Sequence, residues 1–491
     1  MNGKSRRVGL IFTMVSLASA AIVGMVACTA GSGGPASVGK PAGEMTKKEI
    51  KYKDYNIVLV SFDAVQARHI HSLGYPLDIT PTIDAMAKEG VNFTDAISVA
   101  SWTVPASMTW FTGVYPSDHK VLNKYAVYEP PVEKIAKLRE LSPNLMTLAE
   151  VMKQNGYITG GFTGDAGVSG VFGYNIGFDV YEDKTTFGDM DQSVPKALAW
   201  LKENKGKKFF MFLHGYDAHG QCIPQAGFDY RFVDKNYDKK YSGSKEEQEE
   251  LREEGLANGK IELRDEDVKF WRAIYDEKIN REDARFKKFL DGLKELGLLD
   301  KTVFVLTSDH GTEFYEHHRF DHGFSLYNEL INVPLIVHLP DRKEGQVVTG
   351  AVSSIDVMPT ILDIMDVQVP DPVKQQLRGK SLVPVMNGAP VTGDVYSETN
   401  YRLYTFKRSI TTQDGWKFIY TLENKGRELY NLKSDPQETK NLVEAEPRVA
   451  YELEQKLFAH FKALGHDLTA EKWETGLSPV YPSQAKGWKK K

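Results

Sequence analysis

The sequence predicts an α/β layer sandwich. Several short runs are apolar at every position and rich in β-branched or aromatic residues, and they alternate with amphipathic helical stretches. Only a late segment breaks that alternation, with hairpin character. A run that is apolar throughout belongs to a strand covered on both faces, as parallel strands are. Alternation of such strands with helices stacks them between helical layers.

The chain opens with Lys4, Arg6 and Arg7, an uncharged apolar run from Val8 to Ala27, and Cys28. That order is a secretory signal over residues 1–27. Val26 and Ala27 before the cysteine resemble a bacterial lipoprotein processing site, which makes Cys28 the expected lipidated first residue. An uncleaved anchor helix is the other reading, since about twenty apolar residues just span a bilayer. Both readings export the domain, and the first anchors it by lipid on the periplasmic side of a bacterial membrane. Residues 28–53 are rich in Gly, Ser, Ala, Pro and then Lys, and read as a flexible tether. The remaining cysteine is Cys222, so no disulfide framework is expected.

From Tyr55 onward the strands are "NIVLVSF" (56–62), "YITGGFT" (157–163), "KFFMFLHG" (208–215) and "TVFVLTSD" (302–309). Helices are expected over 80–90, over 143–156 with Gly156 as C-cap, over 194–204 and over 268–297. Between about Asp238 and Asp267 lies a charged insertion centred on "KEEQEELREEG", read as a solvated surface helix. A smaller C-terminal subdomain is expected over 390–470, with a hairpin near 408–432 and a closing amphipathic helix over 449–464, followed by a tail over 471–491. The main domain is then 54–389. With 41% hydrophobic residues the chain can build a large core, and 61 basic against 66 acidic residues leave a net charge of −5. No basic face follows a phosphate backbone, so nucleic acid is not expected as a partner.

In an α/β sheet, ligands gather at the carboxyl ends of the strands. Asp63 follows the first strand, Asp217 and His219 the third, and Asp309 with His310 the fourth, while Thr103 opens the helix-like run in "SWTVPASMTWFTG". An acid after a strand is often only a cap or turn former. Two acids, a histidine and a hydroxyl at separate strand ends, however, can converge on one cation, which activates a hydroxyl that is inert alone.

The segments "NIVLVSFDA", "TPTIDAMAKEGVNFTDAISVASWTVPASMTWFTGVYPSDH", "FLHGYDAH" and "TSDHGTEFYEHHRFDHGFSLYNELINVPLIV" resemble, in order and spacing, the sulfatase branch of the alkaline-phosphatase superfamily. "SSIDVMPTILDIM" and "ELYNLKSDPQETKNL" are similar to that family's closing segments. The resemblance covers roughly residues 54 to 465. It implies a sandwich with a mixed, largely parallel central sheet flanked by helices, plus a small C-terminal α+β subdomain. It makes Asp63, Thr103, Asp309 and His310 the expected primary metal ligands, with Thr103 as nucleophile. Asp217, His219 and His322 are expected to face the substrate or a second metal, whereas His317 and His318 are read as structural.

Departures from the family pattern carry information. Sulfate-ester hydrolases of the family hold a cysteine or serine that becomes formylglycine, followed by proline, a small residue and arginine. Here the run is Thr103, Val104, Pro105, Ala106, Ser107, the second acid of the opening pair is Ala64, and a further acid is replaced by Arg68. Threonine cannot form that aldehyde, so Thr103 looks like the nucleophile of the family's phosphodiesterases and phospho-head-group transferases. The expected function is a metal-dependent hydrolase or transferase acting on phosphate, with sulfate as the less favoured ester. Its partner would be an anionic ester on a lipid head group, glycan or small molecule. One or two ions are expected, with zinc or manganese favoured by the His310 nitrogen over calcium or magnesium. The rival is a non-catalytic, lipid-anchored protein that binds an anionic glycan or lipid head group.

Overall fold

The computed structural model describes residues 49–122, 141–164, 167–185, 187–219, 228–401 and 405–470. The expected signal, Cys28, most of the expected tether, Cys222 and the tail lie outside the described residues. Among the described residues no helix is long and apolar enough to cross a membrane.

The strands are β1 (Asn56–Phe62), β2 (Val91–Ile97), β3 (Ile158–Phe162), β4 (Val180–Glu182), β5 (Phe209–Gly215), β6 (Thr302–Thr307), β7 (Glu313–Phe314), β8 (Phe320–Asp321), β9 (Asn332–His338) and β10 (Gln346–Ser353). Eight of them form one sheet in the order β10-β2-β9-β6-β1-β5-β3-β4. The pairs β1–β5, β1–β6, β3–β5, β3–β4 and β10–β2 are parallel, whereas β9 runs antiparallel to both β2 and β6. The sheet is therefore mixed and largely parallel. All seven residues of β1 are buried, with Ile57 and Leu59 packing into the core on one face and Val58, Val60 and Phe62 into the core on the other. Coverage on both sides is why the run shows no polar alternation, and each such aliphatic contributes about 1.5–3 kcal/mol by leaving water.

The helices that position the site are α1 (Pro81–Glu89), α2 (Thr103–Thr112), α3 (Leu148–Gln154), α4 (Met190–Glu203), α5 (Lys245–Asn258) and α6 (Asp265–Glu295). Two differ from expectation. The helix expected over 143–156 starts later, because Thr147 and Glu150 close a capping box that fixes α3's first turn. The charged insertion is not a freely solvated helix: α5 is capped by Ser244 and Glu247, and it buries Gln248, Leu251, Arg252 and Gly255. Those positions fall at i, i+3, i+4 and i+7, so a helix whose outer face is almost all glutamate still presents one inward stripe.

Strands β11 (Val395–Tyr401), β12 (Thr405–Thr411), β13 (Trp416–Thr421) and β14 (Gly426–Asn431) form an antiparallel sheet in sequence order. The helix Pro447–Ala463 covers it, burying Leu453, Leu457 and Phe461 against Ile410, Phe418 and Leu429. This C-terminal sheet bonds directly to the loop that follows β2. Glu398 N–H donates to Val99 O at 2.7 Å and Ser397 Oγ to Ser98 O at 2.7 Å, clamping the loop just before Thr103.

Candidate active site

Three chain segments deliver the centre of the site, each from the carboxyl end of a strand or the start of a helix. Asp63 follows β1 and its N–H donates to Gly215 O at 3.0 Å, at the end of the neighbouring β5. Asp309 and His310 follow β6, the strand on the other side of β1. Thr103 is the first residue of α2, a helix buried along its whole length. Trp102, at its N-cap, contributes no side-chain hydrogen bond, so the positive end of the helix dipole stays turned toward the Thr103 hydroxyl.

The side-chain geometry is set by hydrogen bonding around it. His310 Nδ1 lies 2.6 Å from Gly311 O, which requires the proton on Nδ1 and leaves a lone pair on Nε2. That nitrogen lies 3.2 Å from Thr103 Oγ1, 3.4 Å from Asp309 Oδ2 and 3.8 Å from Asp63 Oδ1. Asp309 Oδ1 accepts the N–H groups of Ala64 and His310 at 3.1 and 2.9 Å. Its Oδ2 is buried and has no hydrogen-bond partner among the described residues. A buried carboxylate oxygen beside an imidazole lone pair is costly unless a cation fills the gap. Asp63, Asp309 and His310 therefore fit a divalent ion, and their donor atoms all lie within 4.8 Å of one another.

His219 and His322 extend the site. Their Nε2 atoms face each other at 2.8 Å, and with His310 they form a second group whose donor atoms lie within 4.8 Å. His219 stacks on Tyr216 with ring centroids 4.1 Å apart, and Lys278 Nζ donates to its carbonyl at 3.3 Å. Two facing imidazole nitrogens must share a proton, with one donating and one accepting, or share a cation.

Asp217 does not join these groups. Its carboxylate pairs with Arg285 and accepts Met190 N–H at 2.9 Å, turning away toward α4 and α6. Burial, opposed by the Arg285 charge, pushes its carboxyl up to about 6. Of the two residues expected to face the substrate after β5, the turn brings His219 to the site and places Asp217 against Arg285. Arg68 is likewise remote, donating to Pro436 O at 3.4 Å.

Sequence reading passed over His214. Gly164 N–H donates to its Nδ1 at 3.2 Å, so the ring proton sits on Nε2, which faces Asp63 Oδ2 at 3.2 Å. Inside the apolar run "KFFMFLHG" it reads as a core residue, and only the sheet order shows it beside Asp63. Glu282 and Arg285, also unremarked, project from one face of α6 beneath the 214–219 segment, and burial raises the Glu282 carboxyl well above its ordinary value.

A third donor group, Glu313, His317 and Glu329, lies outside this site. Burial disfavours the charged His317 ring, but the hydrogen bond to Glu329 at 2.6 Å and its charge outweigh that and hold the ring at about 9. Burial, then the charges of Glu329 and Glu316, push Glu313 up to about 8. Both folded values exceed the ordinary 6.5 and 4.5, so the folded state holds more protons and loses stability as pH rises. The Glu313 contribution is fully present below 4.5 and is lost as pH climbs through 8. Glu313→Gln should therefore gain thermal stability relative to the native protein as pH goes from 5 to 8. Parallel melting curves across that range would show that Glu313 ionises freely.

The sulfatase family model matches residues 55–367, and a model of the C-terminal part of N-sulphoglucosamine sulphohydrolase matches residues 315–464. The chain is 24% identical over 467 residues to arylsulfatase K of Rattus norvegicus, spanning 85% of this chain and 80% of that protein. A protein solved in complex with its substrate D-glucosamine-2-N,6-O-disulfate superposes with a TM-score of 0.62 at 22% identity, over 83% of this chain and 97% of that one. The phosphonate monoester hydrolase of Agrobacterium radiobacter gives 0.64 at 20% identity, over 84% and 96%.

Proposed function

The chain belongs to the sulfatase family, whose members are hydrolytic enzymes, and from that premise we propose that it cleaves an anionic phosphoester by attack of Thr103. The observation that carries this reading is the Thr103 hydroxyl, 2% exposed, held 3.2 Å from the His310 lone pair at the head of α2. Asp63, Asp309, His310 and the Thr103 oxygen would hold a divalent ion, zinc or manganese given the nitrogen donor. Bound there, such an ion supplies Lewis acidity and lowers the pKa of the hydroxyl.

The chain's own groups account for the remaining steps. Thr103 Oγ, its hydroxyl proton lost to solvent, bonds to phosphorus as the bond to the leaving oxygen breaks, and the His219–His322 pair delivers a proton to that oxygen. Water then attacks phosphorus and breaks its bond to Thr103 Oγ, releasing the phosphate product; the pair takes up a proton of that water and the threonine oxygen regains its own from solvent. The helix dipole of α2 favours negative charge developing at the reacting group. His214 and the amide of Ala64 keep the two carboxylates aimed inward.

The neighbours bracket the substrate class, one having been solved with a sulfated glucosamine and the other being a phosphonate monoester hydrolase. Phosphorus is preferred here because threonine offers an alkoxide and no aldehyde. The non-catalytic binding reading is not favoured, since the family is hydrolytic and Asp63, Asp309 and His310 stand together beside the Thr103 hydroxyl. With metal supplied, bis(p-nitrophenyl) phosphate or p-nitrophenyl phosphate should be hydrolysed at least about 100-fold faster than p-nitrophenyl sulfate, and chelation should abolish both rates. A sulfate rate higher by the same margin would move the assignment to sulfur.

A further inference from the structure

The glutamate-rich helix α5 grips the loop that delivers His322. Ile261, just beyond the helix, donates its N–H to His318 O at 2.7 Å, and Arg319 Nε donates to Gly259 O at 2.8 Å. Within the helix, Arg252 NH1 donates to Asp321 Oδ2 at 3.1 Å. Both side chains are shielded, at 6% and 3% exposure, so the pair works in a low-dielectric setting; Arg252 also pairs with Glu253 at 3.2 Å, whereas the Asp321 carboxylate would not tolerate losing Arg252. The other carboxylate oxygen, Asp321 Oδ1, lies 3.3 Å from His322 Nε2, the same nitrogen that faces His219 at 2.8 Å. Asp321 adopts a left-handed backbone with φ of 80°, a conformation that costs energy in a residue other than glycine and persists only where its surroundings enforce it.

We propose that Arg252 is a positioning residue for the reaction: it anchors Asp321, and Asp321 fixes the ring of His322 against His219. The proposal rests on the reading that His322 serves the leaving-group side of the site. It gives the charged insertion a task that its composition conceals. The outer glutamates keep the helix soluble, while its inward stripe supplies one cation to a buried carboxylate. Without Arg252 that carboxylate is left uncompensated, and it either turns toward solvent or draws the imidazole out of line with its partner. A displacement of about 1 Å in a catalytic group costs up to about 100-fold in rate.

The test is a double-mutant cycle on the full chain, loaded with metal, using hydrolysis of bis(p-nitrophenyl) phosphate. Arg252→Leu should lower kcat by about 10- to 100-fold with KM changed much less, and Arg252→Lys should recover most of the loss. In a His322→Ala background, Arg252→Leu should cost less than about twofold more, because the group it positions is gone. Asp321→Asn runs the same cycle from the other end and leaves no unpaired buried carboxylate, which keeps the test decisive should Arg252→Leu fail to fold. Full multiplication of the two losses in either cycle, or an unchanged kcat in Asp321→Asn, overturns the proposal. A His322→Ala protein with native kcat overturns the underlying reading of His322, an outcome distinguishable from the others because the single variant alone reports it.

Discussion

Thr103→Ala should retain the fold and lose at least about 10³-fold in kcat, whereas Thr103→Ser should stay within about 50-fold of the native rate. The alanine keeps the helical start of α2 and removes only the hydroxyl and one methyl from a side chain that is 2% exposed. Its cost to stability is therefore small beside its cost to chemistry. Serine restores the oxygen 3.2 Å from His310 Nε2 but lacks the Cγ2 that packs near Gly167, so its hydroxyl samples more rotamers and attacks less often. Rapid denaturation during turnover should trap a phosphorylated peptide containing Thr103 in the native protein and none in the alanine variant. Native turnover by Thr103→Ala would remove the threonine from the mechanism.

How far the sequence reached is best seen residue by residue. Strands β1, β3, β5 and β6 were legible because burial on both faces removes every polar position, and the acids at the ends of β1 and β6 were legible because the chain leaves the sheet there. Strand β2 carries Thr94 and Asp95 in its middle, where the burial pattern falls to half-buried and exposed, so it shows no uninterrupted apolar run. The antiparallel direction of β9 follows from pairings with β2 and β6 that lie far apart in sequence, and no local pattern encodes them. Asp217 and His219 looked equivalent in "YDAH", yet the turn after β5 sends them to different layers, and Arg285 on α6 claims the acid. His214 and Arg252 were hidden for opposite reasons. One sits in an apolar run that reads as core, and the other in a charged run that reads as solvent.

Asp309→Asn should lose tight metal binding and about 10³-fold or more in activity while making the metal-free protein more heat-stable. The two effects share one cause. The substituted amide would keep an oxygen to accept the N–H groups of Ala64 and His310, now bound at 3.1 and 2.9 Å, so the turn after β6 survives. Alanine would strand both buried donors, at about 1–3 kcal/mol each, and confuse a folding defect with a metal defect. What the asparagine removes is the charge on Oδ2, the buried oxygen 3.4 Å from His310 Nε2. Without a cation, Asp63 and Asp309 are like charges held close in a site fully shielded from water, so neutralising one relieves repulsion. With a cation, the same carboxylate supplies a ligand and half the balancing charge, and its loss weakens binding steeply. Added zinc or manganese should then raise the melting temperature of the native protein, by the linkage of binding to folding, and leave that of Asp309→Asn nearly unmoved. Full metal stoichiometry with native affinity in the asparagine variant would place the cation elsewhere.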